Sequence, residues 1–283
     1  MAEEIKKQLS DLSGCSNIKL VKNGNKAILY ALRIAKRLGK TNVFIQDQGG
    51  WITYYQYPMR LNLEVIKLKT NLGLIDKHEL AARLDDKSIL LINSMPGYLA
   101  LENMEDIEAI CRENRSMIIN DITGSIGTDN AKFGDIVACS FGKDKPISYG
   151  DGGFIGVKNS DYFDIIVMQE ISAGAGLADR IKTMNNRLAD INAIRKQLIA
   201  DLINLGFQEK LIHPSLHGIN IAVRFADETE KERVINYCNK NNMEYTICPR
   251  YIRVECDAVS IEVKRLFTDD KYKRFQSTKK GGV

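Results

Sequence analysis

Short apolar runs recur along the first half of the chain with amphipathic stretches between them, and this alternation restricts the fold more than any other feature. The runs are Asn42-Val-Phe-Ile-Gln46, Glu64-Val-Ile-Lys-Leu68, Ser88-Ile-Leu-Leu-Ile-Asn93, Ser116-Met-Ile-Ile-Asn120, Asp135-Ile-Val-Ala-Cys139 and Phe154-Ile-Gly-Val157. They are rich in Ile and Val and are apolar on consecutive positions, as strands buried on both faces are. Helical spacing separates or precedes them. Ile5, Leu9 and Leu12 repeat within residues 2–13. Asn23 to Asn25 supply helix-start chemistry, after which Ile28, Ala31, Leu32, Ala35 and Leu38 recur until Gly39 stops them. Lys77–Leu84 and Glu105–Glu113 read as shorter helices. The pattern predicts an α/β fold, a mostly parallel sheet sandwiched by helices. In such sheets ligands bind beyond the carboxyl ends of the strands, which singles out Asp121 and the loop Ser140–Gly153.

The texture changes after Asp161. A long helical stretch is expected from about Leu177 to Asn204. A compact α+β unit should follow, with strand Gly218–Arg224, helix Glu228–Asn239, strands Glu244–Cys248 and Tyr251–Val254, and helix Val259–Leu266. The expected division is a large domain over residues 1–160, a helical connection over 161–205 and a small domain over 206–283, ending in a loose polar tail, Ser277–Val283. Lys+Arg 40 against Asp+Glu 36 leaves +4, too small an excess to point to nucleic acid. Six scattered cysteines, with no C-x-x-C pair and no histidine at metal spacing, argue against a zinc site or a disulfide framework and suggest a reducing cytosol. No apolar run approaches membrane-spanning length and the N-terminus is charged, so a cytoplasmic protein is expected.

The loop Ser140-Phe-Gly-Lys-Asp-Lys-Pro-Ile-Ser-Tyr-Gly-Asp-Gly-Gly153 carries two lysines alongside a proline and a cluster of glycines. Such density marks special backbone geometry between rigid strands, where functional groups concentrate. By themselves the residues leave open whether either lysine is more than a solvated charge.

Five segments in order resemble those of the DegT/DnrJ/StrS sugar-aminotransferase family of fold-type-I pyridoxal-phosphate enzymes, over roughly residues 20–195. Ser140-Phe-Gly-Lys-Asp-Lys145 with Gly150-Asp-Gly-Gly153 is similar to S-F-x-x-x-K…G-[ED]-G-G. That register implies Lys145, and not Lys143, as the Schiff-base lysine, with Ser140 on the cofactor phosphate. Asn120-Asp-Ile-Thr-Gly-Ser-Ile-Gly127 resembles E-D-A-A-Q-A-x-G and implies Asp121 at the pyridine nitrogen. Asn23-Gly-Asn-Lys-Ala-Ile28 resembles the phosphate turn S-G-T-x-A-L, implying cofactor contacts from Gly24, Asn25 and Lys26. Trp51 falls where the family places an aromatic on the cofactor ring. Asn185-Asn-Arg-Leu-Ala-Asp-Ile191 resembles N-Y-R-M-S-D-I, implying that Asn185 reaches the phosphate of a partner subunit in a homodimer with interfacial sites.

The resemblance therefore implies an aspartate-aminotransferase-like fold with pyridoxal 5′-phosphate as cofactor. It also implies amino transfer from a common amino acid such as glutamate to a small carbonyl or sugar-type acceptor. The chemistry agrees, because a lysine amine can carry the cofactor and shuttle a proton, and a carboxylate can keep the ring nitrogen protonated. Departures exist. Gly124 stands where the family has Gln or His near the cofactor O3′, Asn25 replaces a Thr, and the chain after residue 195 is short for the family. Pro249-Arg-Tyr-Ile-Arg-Val-Glu255 resembles a small-domain strand that places a carboxylate-binding arginine, making Arg253 the substrate candidate and Arg250 a weaker one. Two alternatives follow: a lyase or desulfurase acting on an amino acid through Arg253, or a shortened non-catalytic homologue with a binding role.

Overall fold

The computed structural model describes residues 2–266. Its large sheet is built from β1 (Asn17–Val21), β2 (Asn42–Gln46), β3 (Glu64–Leu68), β6 (Ser88–Asn93), β7 (Met117–Asp121), β8 (Ile136–Ser140) and β9 (Gly153–Val157), with a two-residue hairpin, β4 (Thr70–Asn71) and β5 (Leu74–Ile75), set apart from it. The strand order is β1-β9-β8-β7-β6-β2-β3. Strands β3, β2, β6, β7 and β8 run parallel, and β9 runs antiparallel to both β8 and β1. Helices α1 (Ala2–Ser13), α2 (Gly24–Arg37), α3 (Thr53–Arg60), α4 (Lys77–Arg83) and α5 (Met104–Glu113) accompany the sheet. The α/β reading therefore holds, and the strands expected in this sheet lie within a residue or two of their predicted bounds, while β1, which pairs antiparallel with β9 at the sheet edge, was not expected. The segment that follows Trp51, for which no element was expected, is helix α3.

The period-two alternation of the strands distributes their apolar residues to two cores. Val43, Ile45, Ile89, Leu91, Ile119 and Ala138 face α2 and Tyr54 of α3, while Phe44, Leu90, Ile92 and Ile118 face Leu80 of α4 and Ile107 of α5. Burying each such side chain is worth about 1.5–3 kcal/mol, against about 1–2 kcal/mol for ordering one residue of backbone. Both faces must therefore be covered, and the helices cover them.

A third core lies under α6 (Leu177–Asn204), where Ile181, Met184, Leu188 and Ile191 meet Ile5 and Leu9 of α1, Phe141, and Ile221 and Val259 of the C-terminal unit. That unit has β10 (Leu211–Ile212), β11 (Ile221–Arg224), α7 (Glu228–Lys240), β12 (Tyr245–Cys248) and β13 (Ala258–Ile261), in the sheet order β10-β11-β13-β12. Two expectations fail here. Tyr251–Val254 is a turn closed by Arg250 N–H to Val254 O and Arg253 N–H to Arg250 O, not a strand. Residues 259–266 are not a helix: β13 takes Ala258–Ile261 into the sheet between β11 and β12, and only a single 3-10 turn, Val263–Arg265, follows. The tail Ser277–Val283 lies outside the described residues.

One buried carboxyl makes the fold pH-sensitive. Glu102 is 6% exposed and accepts from Ile75 N–H (3.0 Å) and Gln46 Nε2 (2.9 Å), yet burial pushes its pKa up to about 8. Between the unfolded carboxyl value and pH 8 the folded chain thus holds a proton that the unfolded chain has lost. Stability contributed by this site should fall as pH rises through that window, by about 1.4 kcal/mol per unit. Glu102→Gln keeps the acceptor and removes the titration. Its urea midpoint, measured from pH 5 to 8, is expected to fall less than that of the wild type. Parallel curves would contradict this assignment.

Candidate active site

The carboxyl ends of the parallel strands converge on one cleft. Two glycines permit its floor. A Cβ on Gly153 would lie 2.4 Å from Cys139 O and 2.9 Å from Gly24 N, and one on Gly24 would lie 2.8 Å from Ser140 Cβ. Without them α2 could not bring its N-terminus against the end of β8. Asn23 caps this helix, its side chain accepting from Lys26 N–H at 3.0 Å, so the partial positive end of α2 opens into the cleft.

Asp121 ends β7 in the same cleft. Its Oδ2 accepts from the buried Tyr54 hydroxyl (2.7 Å) and its Oδ1 from Thr123 N–H (3.0 Å). One donor on each oxygen fixes the carboxylate plane and leaves lone pairs for a further partner. Burial, with the Asp121 charge beside it, holds the Tyr54 phenol well above its usual range, so it stays a donor.

Lys145 follows β8 on the loop that closes through Lys145 N–H to Gly142 O and Gly150 N–H to Phe141 O. Its Nζ donates to Tyr98 Oη at 2.6 Å and sits 5.6 Å from the ring centroid of Trp51. Burial alone would lower the ammonium's pKa, but the Tyr98 oxygen and the Asp121 carboxylate outweigh it and raise it. Trp51 Nε1 in turn donates to Asn25 Oδ1 at 2.9 Å, which ties the ring to the first turn of α2. Ser140 Oγ accepts from Gly142 N–H and keeps its own proton to donate.

The far wall comes from the C-terminal unit. Arg253, 4% exposed, binds Glu262 through Nε (2.7 Å) and Nη2 (2.8 Å) and donates Nη1 to Ile252 O. Lys264, 2% exposed, donates to the same carboxylate at 2.7 Å. Two cations hold the Glu262 carboxyl far below its usual range despite its burial. One carboxylate serves both, and the arginine takes it with two bonds; Lys264 is left short, and burial brings its pKa down to about 8.

Of the residues singled out in the sequence, Gly24, Asn25, Trp51, Asp121, Ser140, Lys145 and Arg253 line this one cleft. Lys26 and Asn185 do not line it. Lys26 is exposed and gives its backbone N–H to the Asn23 cap, while Asn185 is exposed on α6 beside Gly127. His217 lies in a separate groove with Arg195 and Lys196. Sequence reasoning missed Tyr98, Tyr54, Thr123 and the Glu262–Lys264 pair. Tyr98 carried a usable signal, because it lies five residues past β6, beyond the carboxyl end of a parallel strand, as Asp121 does. All six cysteines are free thiols, five of them buried, and none lines the cleft. Among the described residues no group of three or more His, Cys, Asp or Glu side chains could hold a metal ion, and no helix is long and apolar enough to cross a membrane.

The model of the DegT/DnrJ/EryC1/StrS aminotransferase family matches residues 1–194. The chain belongs to that family. The C-terminal domain of the MJ1341 family matches residues 182–273, so this family member carries a distinct C-terminal unit. Among solved structures, 3-amino-5-hydroxybenzoic acid synthase superposes with a TM-score of 0.72 at 13% identity, covering 98% of this chain and 88% of that one. A DegT/DnrJ/EryC1/StrS aminotransferase from Brucella abortus gives 0.68 at 13% identity, covering 99% and 89%. A variant of serine palmitoyltransferase from S. paucimobilis, bound to a pyridoxal-phosphate–myriocin aldimine, gives 0.71 at 14% identity, covering 99% and 76%. These likenesses establish the fold as that of the fold-type-I pyridoxal-phosphate transferases.

Proposed function

We propose that this protein is a pyridoxal-phosphate-dependent aminotransferase that moves an amino group from an amino-acid donor to a small carbonyl or sugar-type acceptor, with Lys145 as the residue that carries the cofactor. One observation supports this most: a single cleft brings together the Lys145 amine, the Asp121 carboxylate, the Trp51 ring and the N-terminus of α2. The residues present fit the group. Asp121 has free lone pairs for a protonated ring nitrogen, Ser140 has an undonated hydroxyl proton for a phosphate oxygen, and the α2 N-terminus adds N–H groups and positive potential. Bound there, pyridoxal phosphate would supply a carbonyl that captures amines and a ring that accepts electrons from the substrate α-carbon.

The chain's own residues do the rest. Trp51, fastened by Asn25, offers a flat apolar face for the ring. Lys145 would take the proton from the donor's α-carbon and return it during transfer. Arg253 keeps N–H groups beyond its bonds to Glu262 and Ile252, which supports it as the group that receives a substrate carboxylate. The protein would act as a homodimer, with Asn185 serving the partner's phosphate, and exposed Ile52, Tyr55 and Met59 on and beside α3 support burial of that face. Burial holds the Cys139 and Cys248 thiols above their usual range, which weighs against the desulfurase alternative.

The test is direct. Protein incubated with pyridoxal phosphate should gain a visible chromophore, and borohydride should fix the label on Lys145. An amino-acid panel then separates transamination, which consumes the aldehyde form, from elimination, which does not. No chromophore, or a label on Lys143, would overturn the proposal.

A further inference from the structure

We propose that Tyr98 is the positioning residue of Lys145, holding its amine through the 2.6 Å hydrogen bond from a ring seated in the space that Gly124 leaves open. The inference deepens the functional reading above, in that Lys145 matters to catalysis only if that reading holds; the contact itself stands on geometry.

Several restraints converge on this tyrosine. Its backbone is in the left-handed region, φ +66, a conformation that side-chain-bearing residues rarely adopt. It is held there by its own N–H to Met95 O at 3.0 Å, and by its carbonyl accepting from Ile219 N–H and Asn220 N–H, each at 2.9 Å. The C-terminal unit thus clamps the turn that carries the ring. A Cβ on Gly124 would lie 3.0 Å from Tyr98 Cδ1 and 3.2 Å from both Cε1 and Met95 Cβ. Position 124 is therefore bare where the ring passes, and any larger residue there would move it. The ring also has cations near it, with Lys264 Nζ 4.8 Å and the Arg253 guanidinium 5.4 Å from its centroid. Their shared counter-ion Glu262 fixes both, so the phenol is held by backbone on one side and by an ion cluster on the other. The hydroxyl is then the acceptor that orients the amine between the Trp51 ring and Asp121.

The charged and titratable groups that act on Lys145 are Tyr98 and Asp121, which favour its ammonium form, and Arg253 and Lys264, which oppose it; the buried Cys139 thiol lies within electrostatic reach. Removing the Tyr98 oxygen subtracts the largest favourable partner and leaves the opposing cations in place. The Lys145 amine should then lose its proton at lower pH.

The experiment uses the full chain without added cofactor. Trace acetic anhydride labels amines in proportion to their neutral fraction, and mass spectrometry of the Lys145 peptide from pH 6 to 11 gives its titration, with exposed Lys7 as internal control. Tyr98→Phe, which keeps the ring, is expected to shift the Lys145 curve down by about one unit, seen as about tenfold more labelling below both midpoints, with Lys7 unmoved. Gly124→Ala should reproduce the direction of that shift by displacing the ring, and should add nothing in the Tyr98→Phe background. Circular dichroism confirms that each variant is folded. A Lys145 curve unchanged by Tyr98→Phe, or a further full shift in the double variant, would overturn the proposal. The readout is independent of the cofactor, so a protein that binds no pyridoxal phosphate would sink the functional reading and leave this measurement standing.

Discussion

Lys145→Ala is expected to lower amino transfer by about 10²- to 10⁴-fold, the range a positioned general base contributes. Among the cleft-lining residues only Lys145 and Arg253 are basic, and the arginine is bound to Glu262 and keeps its proton at any working pH. Lys264 in the far wall is an amine too, but it is 2% exposed and bonded to Glu262 at 2.7 Å, so Lys145 is the amine that opens into the cleft. Lys145→Arg sharpens the result. It preserves a positive charge near Tyr98 and Asp121 yet cannot deprotonate, so it should be as inactive as the alanine variant if the amine does chemistry, and largely active if Lys145 supplied only charge. Lys143→Ala on the same loop is expected to stay within a few-fold of the wild type. Product formation from an amino-acid donor, measured at saturating pyridoxal phosphate, decides between these outcomes. Turnover of Lys145→Ala within tenfold of wild type would remove the lysine from the mechanism.

The elements around this lysine were legible because their patterns are local. Runs such as Ser88–Asn93 are apolar on both faces, and a sheet covered on both sides is the arrangement that buries them. Asp121 and Lys145 could be placed because the strands before them could be placed. The C-terminal end was misread for an equally local reason. Val259, Val263 and Leu266 fall at helical spacing, but Ala258–Ile261 is drawn into the sheet by β11 on one side and β12 on the other, and those partners come from elsewhere in the chain. Tyr98 escaped notice because its role depends on a positive φ and on the bareness of Gly124 across the cleft. Arg253 was found but its partner was not. Glu262 and Lys264 lie two apart, and nothing in a run of residues tells that both turn inward to meet an arginine nine positions earlier.

That buried cluster carries the second large effect. Glu262 is fully buried and accepts from Arg253 twice, from Lys264, from Asn220 Nδ2 (3.0 Å) and from Thr246 Oγ1 (3.0 Å). Glu262→Ala would leave two buried cations, the buried Asn220 amide and Ser260 hydroxyl, and the half-buried Thr246 hydroxyl without it, and the expected loss is about 3–5 kcal/mol of folding stability near pH 7. The pH dependence separates the partners. A carboxylate whose folded pKa is depressed contributes stability above its unfolded value and loses it as pH falls, so the gap between wild type and variant should narrow in acid. Lys264 has the opposite sign: its folded pKa is already down to about 8, and without Glu262 it falls further. Between that lowered value and the unfolded lysine value the folded variant binds fewer protons than its unfolded chain, so its stability should rise with pH and the gap should narrow again in base. Urea midpoints at pH 4, 7 and 9 are therefore expected to show the largest difference at pH 7. A loss below about 1 kcal/mol, flat across pH, would mean that water reaches Arg253 and Lys264 and that the wall of the cleft is not held by this carboxylate.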